Sequence, residues 1–323
     1  MTTSGFGNFT PYIEGLIEQK RSLGYPYTSS ARILKTFTAF CQEHDPSETQ
    51  LTKALVMHWA EKRDGEHVNG LGRRLSPVRQ LAKYMHRLGR EAYLLPLGTS
   101  AKRIQYVPHI FTDQELRAFF AEIDRCPVNR HSPARHVVIP VFFRVLYCCG
   151  LRLSEARRLA VADVDLTTGQ LTIQHSKGPK DRTVLMSVEV LDLCRNYHAQ
   201  VSRLAPGRLA FFPNPDGQPY SRSVIDDWFR QFWNKTGLAP SRGHRPRVHD
   251  FRHTFAVKRL NLWVQEGKDL NACLPYLSLY LGHTHLTATD YYLHLVPEFF
   301  PVFKEKSRGI WENVIPEVDH DPR

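Results

Sequence analysis

Helical spacing of apolar residues runs along most of this 323-residue chain and gives way at one place to the alternation typical of strands. The change occurs at residues 163–186, where Leu171 and Ile173 alternate with polar residues. A Gly-Pro turn at 178–179 follows, and Thr183 opens a second strand-like run. Apolar runs joined by such turns predict about three antiparallel strands. The chain is therefore predicted to be mainly helical with a small antiparallel sheet, an α+β fold.

A basic stretch with Pro, Gly and Ser separates two helical regions. Residues 1–97 contain four runs with helical spacing, among them 28–44 and 76–88, and predict a small helical domain. Residues 98–110 are predicted to be a linker. Residues 111–323 form the second predicted domain, with a C-terminal tail helix from about residue 299. Two domains are also what a chain of this length favours.

The charge balance favours a polyanionic partner. The formal net charge is +11 and the isoelectric point about 9.4, which suits nucleic acid first and an anionic membrane second. The alternative is a basic protein with no such partner. No run of eighteen apolar residues and no signal peptide is visible, so we expect a cytoplasmic, nucleoid-associated protein without a membrane partner. Six cysteines without a C-x-x-C pair predict reduced, buried thiols.

Basic residues cluster where acidic ones are missing. Residues 67–90 contain no Asp or Glu, and a helix with one apolar face and one basic face is a candidate for DNA contact. A solvated surface face is the alternative reading. The predicted DNA-binding residues in this region, in the linker and before the motif HDFRH are Arg73, Arg74, Arg79, Lys83, Arg87, Lys102, Arg103, Arg245 and Arg247.

Arginine, lysine and histidine then recur in an order that suits chemistry on a phosphodiester. Such a group gains negative charge as it becomes five-coordinate, and fixed guanidinium donors stabilise it. Arg152 follows an apolar helix, and Arg252 lies one helical turn after His249. Lys177, in the turn between strands, is a candidate proton donor to a leaving oxygen, for which Lys180 competes.

The segment LGHTHLTATDYYLHL at 281–295 supplies a histidine and two possible nucleophiles. A phenol can form a covalent phosphotyrosine and so divide the transfer into two steps. Tyr291 and Tyr292 both qualify, and one of them is expected to be a core residue. His283 is read as a donor at the phosphate and His253 as a packed or supporting residue. Zinc-site spacing is missing, so we expect no metal.

The ordered motifs resemble those of the tyrosine recombinase family, also called lambda-integrase-like or phage integrases. GLRLSEARRL resembles its first-arginine motif, SKGPKDRTV its lysine hairpin, RVHDFRHTFA its second-arginine motif and LGHTHLTATDYYLH its nucleophile region. The positions that match the family's catalytic residues are Arg152, Lys177, His249, Arg252, His283 and Tyr292. Glu155 matches an acidic position that supports the first arginine. Phe251 replaces the usual Leu, and the long segment before LGH resembles that of mobile-element integrases and transposases.

The resemblance implies a site-specific recombinase that cleaves DNA through a 3′-phosphotyrosine without metal, nucleotide or other cofactor. It further implies a helical core-binding domain ahead of the catalytic domain and double-stranded DNA as the partner. The expected assembly is a homotetramer on two DNA sites and a monomer or dimer in the absence of DNA. Two alternatives remain at this point. One is a type IB topoisomerase-like enzyme that only relaxes DNA. The other is a DNA-binding accessory protein without catalysis.

Overall fold

A computed structural model describes residues 9–44, 48–99, 104, 106–174, 181–239 and 245–295. Lys102, Arg103, Lys177 and the tail helix predicted from about residue 299 lie outside these ranges. The chain divides into two compact units, Met1–Val107 and Pro108–Arg323. None of the helices in the described ranges is both long and apolar enough to cross a bilayer.

The first unit is built from helices around a core that contains Phe37, Trp59 and Val78. Its helices are α1 (Thr10–Ser22), α2 (Thr28–His44), α3 (Lys53–Ala60) and α4 (Val68–Arg87). The apolar spacing predicted α2 to the residue. The Thr52 hydroxyl accepts from the backbone N–H of Leu55, which satisfies a free donor at the start of α3.

Helix α4 begins two turns earlier than the sequence predicts. The apolar spacing predicts a helix over 76–88, but the helix begins at Val68 and runs through Pro77. The His67 ring accepts from the backbone N–H of Asn69 and caps the true start. Leu71 lies in the core, so burial of the added turns outweighs the hydrogen bond that proline cannot donate.

The second unit combines helices with the predicted sheet, confirming the fold class. Its helices are α5 (Asp113–Asp124), α6 (Arg135–Cys148), α7 (Leu153–Arg158), α8 (Val188–Leu204), α9 (Arg222–Lys235), α10 (Asp250–Gln265), α11 (Leu270–Leu281) and α12 (Thr287–Asp290). Short 3₁₀ turns cover Val161–Asp163 and Tyr291–Leu295.

The sheet has three antiparallel strands in the order β1 (Val164–Asp165), β2 (Gln170–Ile173) and β3 (Arg182–Leu185). Leu171 pairs with Val184, and both are buried against the helices. Arg182 pairs with Ile173 where β3 begins. The first residue of β3 is therefore an arginine.

Aromatic rings fill the core of the second unit and hold α10 in place. Phe251, on the first turn of α10, stacks on Phe111 with ring centroids 4.8 Å apart and lies 5.4 Å from Phe119. Gly150 adopts a left-handed φ of +57° after α6, and an added Cβ would lie 2.5 Å from the Phe255 ring. Only glycine fits this turn, which turns the chain directly toward Arg152.

Candidate active site

Three arginines converge on the carboxyl end of α11. The last carbonyls of a helix have no partner within the helix and need donors from elsewhere. Arg182 Nε donates to the Tyr280 carbonyl over 2.8 Å, and Arg252 Nη2 donates to the Leu281 carbonyl. Arg152 Nη2 donates to the Gly282 carbonyl over 2.6 Å. Three successive carbonyls are thus capped by three different guanidinium groups.

Arg152 starts α7 and is held by its own helix. Its backbone N–H donates to Glu155 Oε2 over 2.8 Å, and its Nη1 donates to Glu155 Oε1 over 2.7 Å. A guanidinium has five N–H donors. Among the described residues, the side-chain hydrogen bonds to Glu155 and to the Gly282 carbonyl use two of the five, so donors remain for a ligand.

Arg252 is the more deeply placed of the two predicted catalytic arginines. Its side chain is 2% exposed, and Nη1 donates to the Gly150 carbonyl over 2.8 Å. Burial and the charge of Arg152 lower the pKa of Arg252 to about 10, and it stays cationic at neutral pH. Arg252 therefore ties the turn before Arg152 to the end of α11.

Tyr292 is buried beside this cluster, whereas Tyr291 is partly open to solvent. The Tyr292 side chain is 3% exposed, and its hydroxyl lies 3.1 Å from His253 Nδ1. Its ring lies parallel to the His283 ring, with centroids 6.2 Å apart. Burial raises the pKa of Tyr292, partly offset by the charge of Arg252 and a hydrogen bond with it. The hydroxyl is therefore protonated at neutral pH.

The histidines of the site are neutral at physiological pH. Desolvation and the nearby charges of Arg252 and Arg152 lower the pKa of His249 to about 4, and the same causes lower the pKa of His283 to about 4. Burial, together with His249, lowers the pKa of His253 to about 3. Neutral imidazoles can accept a proton as well as donate a hydrogen bond.

Two residues that sequence reasoning missed support the predicted ones. Thr289, fully buried on α12, lies with its hydroxyl 2.7 Å from His283 Nδ1. Arg182 donates to both oxygens of Glu155, over 2.9 and 2.8 Å. For Arg182, the sequence offers only its place in the motif SKGPKDRTV. That place predicts a residue at the start of a strand and does not predict contact with Glu155.

A crevice of about 560 Å³ opens beside the arginines. Its side chains are strongly basic. The lining includes Arg152, Ser154, Arg157, Arg158, Arg222, Arg247 and His249. Within the described residues, no group of three or more His, Cys, Asp or Glu side chains is arranged to hold a metal ion.

The residues predicted to bind DNA divide by exposure. Arg73, Lys83 and Arg87 are exposed on α4, and positions 73, 76, 80, 83 and 87 follow one another by three or four residues and share one face. Arg79 is half-buried and donates to the Leu95 carbonyl over 2.9 Å. Arg245, Arg247 and His249 are exposed in the described segment before α10.

Arg74 is a correction to the predicted DNA-binding set. Its side chain is 9% exposed and donates to Glu66 over 2.9 and 2.7 Å and to the carbonyls of Trp59 and Glu61. Successive residues of a helix point in different directions, so the Arg74 side chain faces the interior of the first unit while Arg73 and Lys83 face solvent. Arg74 is therefore a structural residue that joins α4 to the end of α3.

Comparisons with known proteins give a consistent result. Residues 110–298 match the sequence model of the phage integrase family. A putative integrase/recombinase, y4rB of Sinorhizobium fredii, is 28% identical over 311 residues, covering 94% of this chain and 98% of that protein. The y4rE protein of the same organism is 30% identical over 285 residues, covering 87% and 90%. Tyrosine recombinase XerC of Chromobacterium violaceum is 28% identical over 270 residues, covering 83% of each.

Solved structures of low sequence identity share the fold. The integrase of transposon Tn1549 in complex with circular intermediate DNA superposes with a TM-score of 0.63 at 17% identity, covering 91% of this chain and 99% of that one. The XerH recombinase bound to difH in a pre-cleavage complex gives a TM-score of 0.62 at 19% identity, covering 93% and 84%.

Proposed function

This chain belongs to the phage integrase family of tyrosine recombinases, enzymes that break and rejoin DNA, and we propose that it does so through a 3′-phosphotyrosine on Tyr292. The observation that carries the proposal is the placement of the Tyr292 hydroxyl. The hydroxyl lies 3.1 Å from His253 Nδ1, and the tyrosine ring stacks near the His283 ring. The charge of Arg252 favours the ionised form of this hydroxyl. Tyr291, the preceding residue, is partly open to solvent, whereas Tyr292 is 3% exposed.

The proposed reaction begins with attack of the Tyr292 oxygen on a DNA phosphorus. A phosphotyrosyl bond forms, the bond from phosphorus to the 5′ oxygen breaks, and a 5′-hydroxyl leaves. Because one phosphodiester replaces another, the bond energy is retained and a second 5′-hydroxyl can reverse the step without ATP. The guanidinium groups of Arg152 and Arg252 stabilise the charge that grows on the non-bridging oxygens.

Proton transfer in this proposal uses a neutral histidine as acceptor and a lysine ammonium as donor. His253, neutral because its pKa is lowered to about 3, accepts the hydrogen bond of the phenol through Nδ1 and takes its proton as the phosphotyrosyl bond forms. His249 and His283 donate hydrogen bonds to the phosphate. Lys177 protonates the leaving 5′ oxygen, the role expected for the residue in the hairpin turn. No step needs a metal or a nucleotide.

Double-stranded DNA is the proposed partner of two basic surfaces. One is the exposed face of α4 with Arg73, Lys83 and Arg87, and the other is the arginine-lined crevice with Arg222 and Arg247. Phosphate contacts of this kind supply affinity in a salt-dependent way. The proposed assembly is a homotetramer on two DNA sites, formed from monomers or dimers, acting in the cytoplasm at the nucleoid. The integrase and recombinase relatives favour movement of a mobile element.

Covalent trapping on the DNA that flanks the gene tests the proposal. Duplexes tiling both flanks, each carrying a nick so that the cleaved strand diffuses away, are incubated with the protein in the presence of a metal chelator. A DNA adduct resistant to denaturant, with the DNA on a peptide containing Tyr292, is expected. Lack of an adduct on every duplex, or attachment through a 5′-phosphate, contradicts the proposal.

A second arm separates recombination from simple relaxation. Two copies of the trapped site are placed on one plasmid and the products are compared by size. Exchange between the sites is expected for a recombinase. Relaxed plasmid without exchange would favour the type IB topoisomerase-like alternative.

A further inference from the structure

Arg182 is a buried arginine at the first position of β3, immediately after the hairpin segment that contains Lys177. Its side chain is 7% exposed, so its charge is almost fully removed from water. Such a burial is stabilising only when partners satisfy the charge and the N–H donors. The fork formed by its Nη1 and Nη2 binds both oxygens of Glu155, and Nε binds the Tyr280 carbonyl.

Glu155 accepts from two arginines at once. Two hydrogen bonds come from Arg182 and two from Arg152, one of these from its backbone. Burial opposes ionisation of Glu155, but the bonds and charge of Arg182, followed by the bonds of Arg152, lower its pKa to about 2. The two arginines therefore share the carboxylate, and Arg152 donates only one side-chain hydrogen bond to it.

Arg182 also packs against the turn that carries His283. Gly282 has a left-handed φ of +65°, and an added Cβ would lie 2.9 Å from Arg182 Nη1 and 3.1 Å from its Cζ. The same guanidinium therefore contacts the carboxylate that orients Arg152 and the backbone residue before His283. It joins three parts of the chain that are distant in sequence, namely β3, α7 and the end of α11.

We propose that Arg182 is a positioning residue for the cleavage step, which rests on the proposed function. It donates two hydrogen bonds to the Glu155 carboxylate, so Arg152 needs only one side-chain N–H for that carboxylate and keeps others for the phosphate. It also fixes the start of β3 against the end of α11, next to the turn that carries His283. Arg182 acts through these residues and does not touch the phosphate.

Loss of Arg182 leaves the Glu155 charge with a single partner. Arg152 is then expected to form both bonds to the carboxylate and to turn away from the phosphate. Misplacement of a catalytic group by about 1 Å can cost on the order of 100-fold in rate. Removing both charges together is expected to be milder than removing Arg182 alone, because the Glu155 charge that would draw Arg152 away from the phosphate is then gone as well. This difference separates positioning through Glu155 from a loss of general packing.

The test uses full-length protein and the nicked flanking duplex that traps the wild type. Cleavage rates under single-turnover conditions and duplex affinity by gel shift are measured for Arg182→Met, Arg182→Lys, Glu155→Gln and the double variant E155Q/R182M. The matched control is Arg125→Met. Arg125 pairs with Glu122 over 2.6 Å on the surface, with 73% of its side chain exposed.

We expect R182M to cleave about 100-fold more slowly with affinity within about threefold of the wild type. The double variant is expected to recover about tenfold over R182M. R182K, which keeps the charge and loses the fork, should fall between the wild type and R182M, and R125M should match the wild type. If R182M cannot be purified folded, R182K and the double variant carry the comparison.

Three results would overturn the proposal. They are a wild-type cleavage rate for R182M or R182K, a double variant whose loss equals the product of the two single losses, and a fall in affinity that accounts for the loss of cleavage. A wild-type protein that forms no covalent adduct contradicts the proposed function instead. The two failures are therefore distinguishable in the same experiment.

Discussion

The hydroxyl of Tyr292 lies 3.1 Å from Nδ1 of His253, in surroundings that leave the tyrosine 3% exposed. A nucleophile held this way is oriented and kept from bulk water before DNA arrives. The His253 ring is neutral, so Nδ1 accepts from the phenol O–H in the tautomer that carries its proton on Nε2. Helix α10 supplies both His253 and Arg252, so one rigid element places a proton acceptor and a cation around the same oxygen.

Replacing Tyr292 with phenylalanine is expected to abolish the covalent adduct, because the ring is kept and the attacking oxygen is removed. Tyr291→Phe is the matched control and should form the adduct at a rate close to that of the wild type. The measurement is denaturing electrophoresis of protein and labelled duplex. An adduct with Tyr292→Phe and none with Tyr291→Phe would reverse the assignment.

Replacing either Arg152 or Arg252 with lysine is expected to slow cleavage by about 100-fold or more while duplex affinity changes little. Lysine keeps a charge but loses the two-pronged donor geometry that stabilises the transition state. Arg252→Lys should also lower the melting temperature, since the buried carbonyls of Gly150 and Leu281 lose a donor. Affinity that collapses with the cleavage rate would instead make these arginines DNA anchors.

Arg74 and Lys83 are expected to behave differently although both lie on α4. Arg74→Ala removes the guanidinium that binds Glu66 and the carbonyls of Trp59 and Glu61, and should cost about 3–5 kcal/mol of stability, as measured by denaturant unfolding. Lys83→Ala should leave stability unchanged, weaken duplex binding and reduce the slope of log affinity against log salt by about 1. Equal effects of the two variants on the salt slope would contradict the division between a structural and a DNA-facing residue.

Stability is expected to fall as pH falls from about 6.5 to about 4. His253 and His283 have folded pKa values of about 3 and 4, below the ordinary value of 6.5. The unfolded chain therefore binds more protons in this window, which favours unfolding on acidification. The lowered pKa of Glu155, about 2, exerts most of its effect below the window.

The pH effect is measured as the melting temperature at pH 7.5 and at pH 5, with His253→Gln as the comparison. Glutamine cannot be protonated, so this variant should lose less stability between the two pH values than the wild type. A wild-type melting temperature that is unchanged or higher at pH 5 would refute the assignment of neutral histidines.

Much of the fold could be predicted because periodicity and capping are local properties. The apolar spacing at 28–44 identified α2, which covers Thr28–His44 in the structure. The start of α4 could not be predicted, because Pro77 imitates a helix beginning and only packing of the earlier turn shows that the helix continues. The same limitation applied to Arg74, whose inward orientation depends on that longer helix.

The sequence by itself determined the fold class, the ordered set of arginines, histidines and tyrosines, and the chemistry that this set can perform. Arg252 lies one helical turn after His249, so local spacing places these two side chains near each other. The sequence likewise shows that Tyr292 follows His283 by nine residues. Only the tertiary structure decided how these segments meet. Arg152 donates to a carbonyl 130 positions away, and Arg182 reaches Glu155 across 27. Hydrogen bonds act over about 3 Å, so such partners are set by how the helices and the hairpin pack and leave no local pattern in the chain.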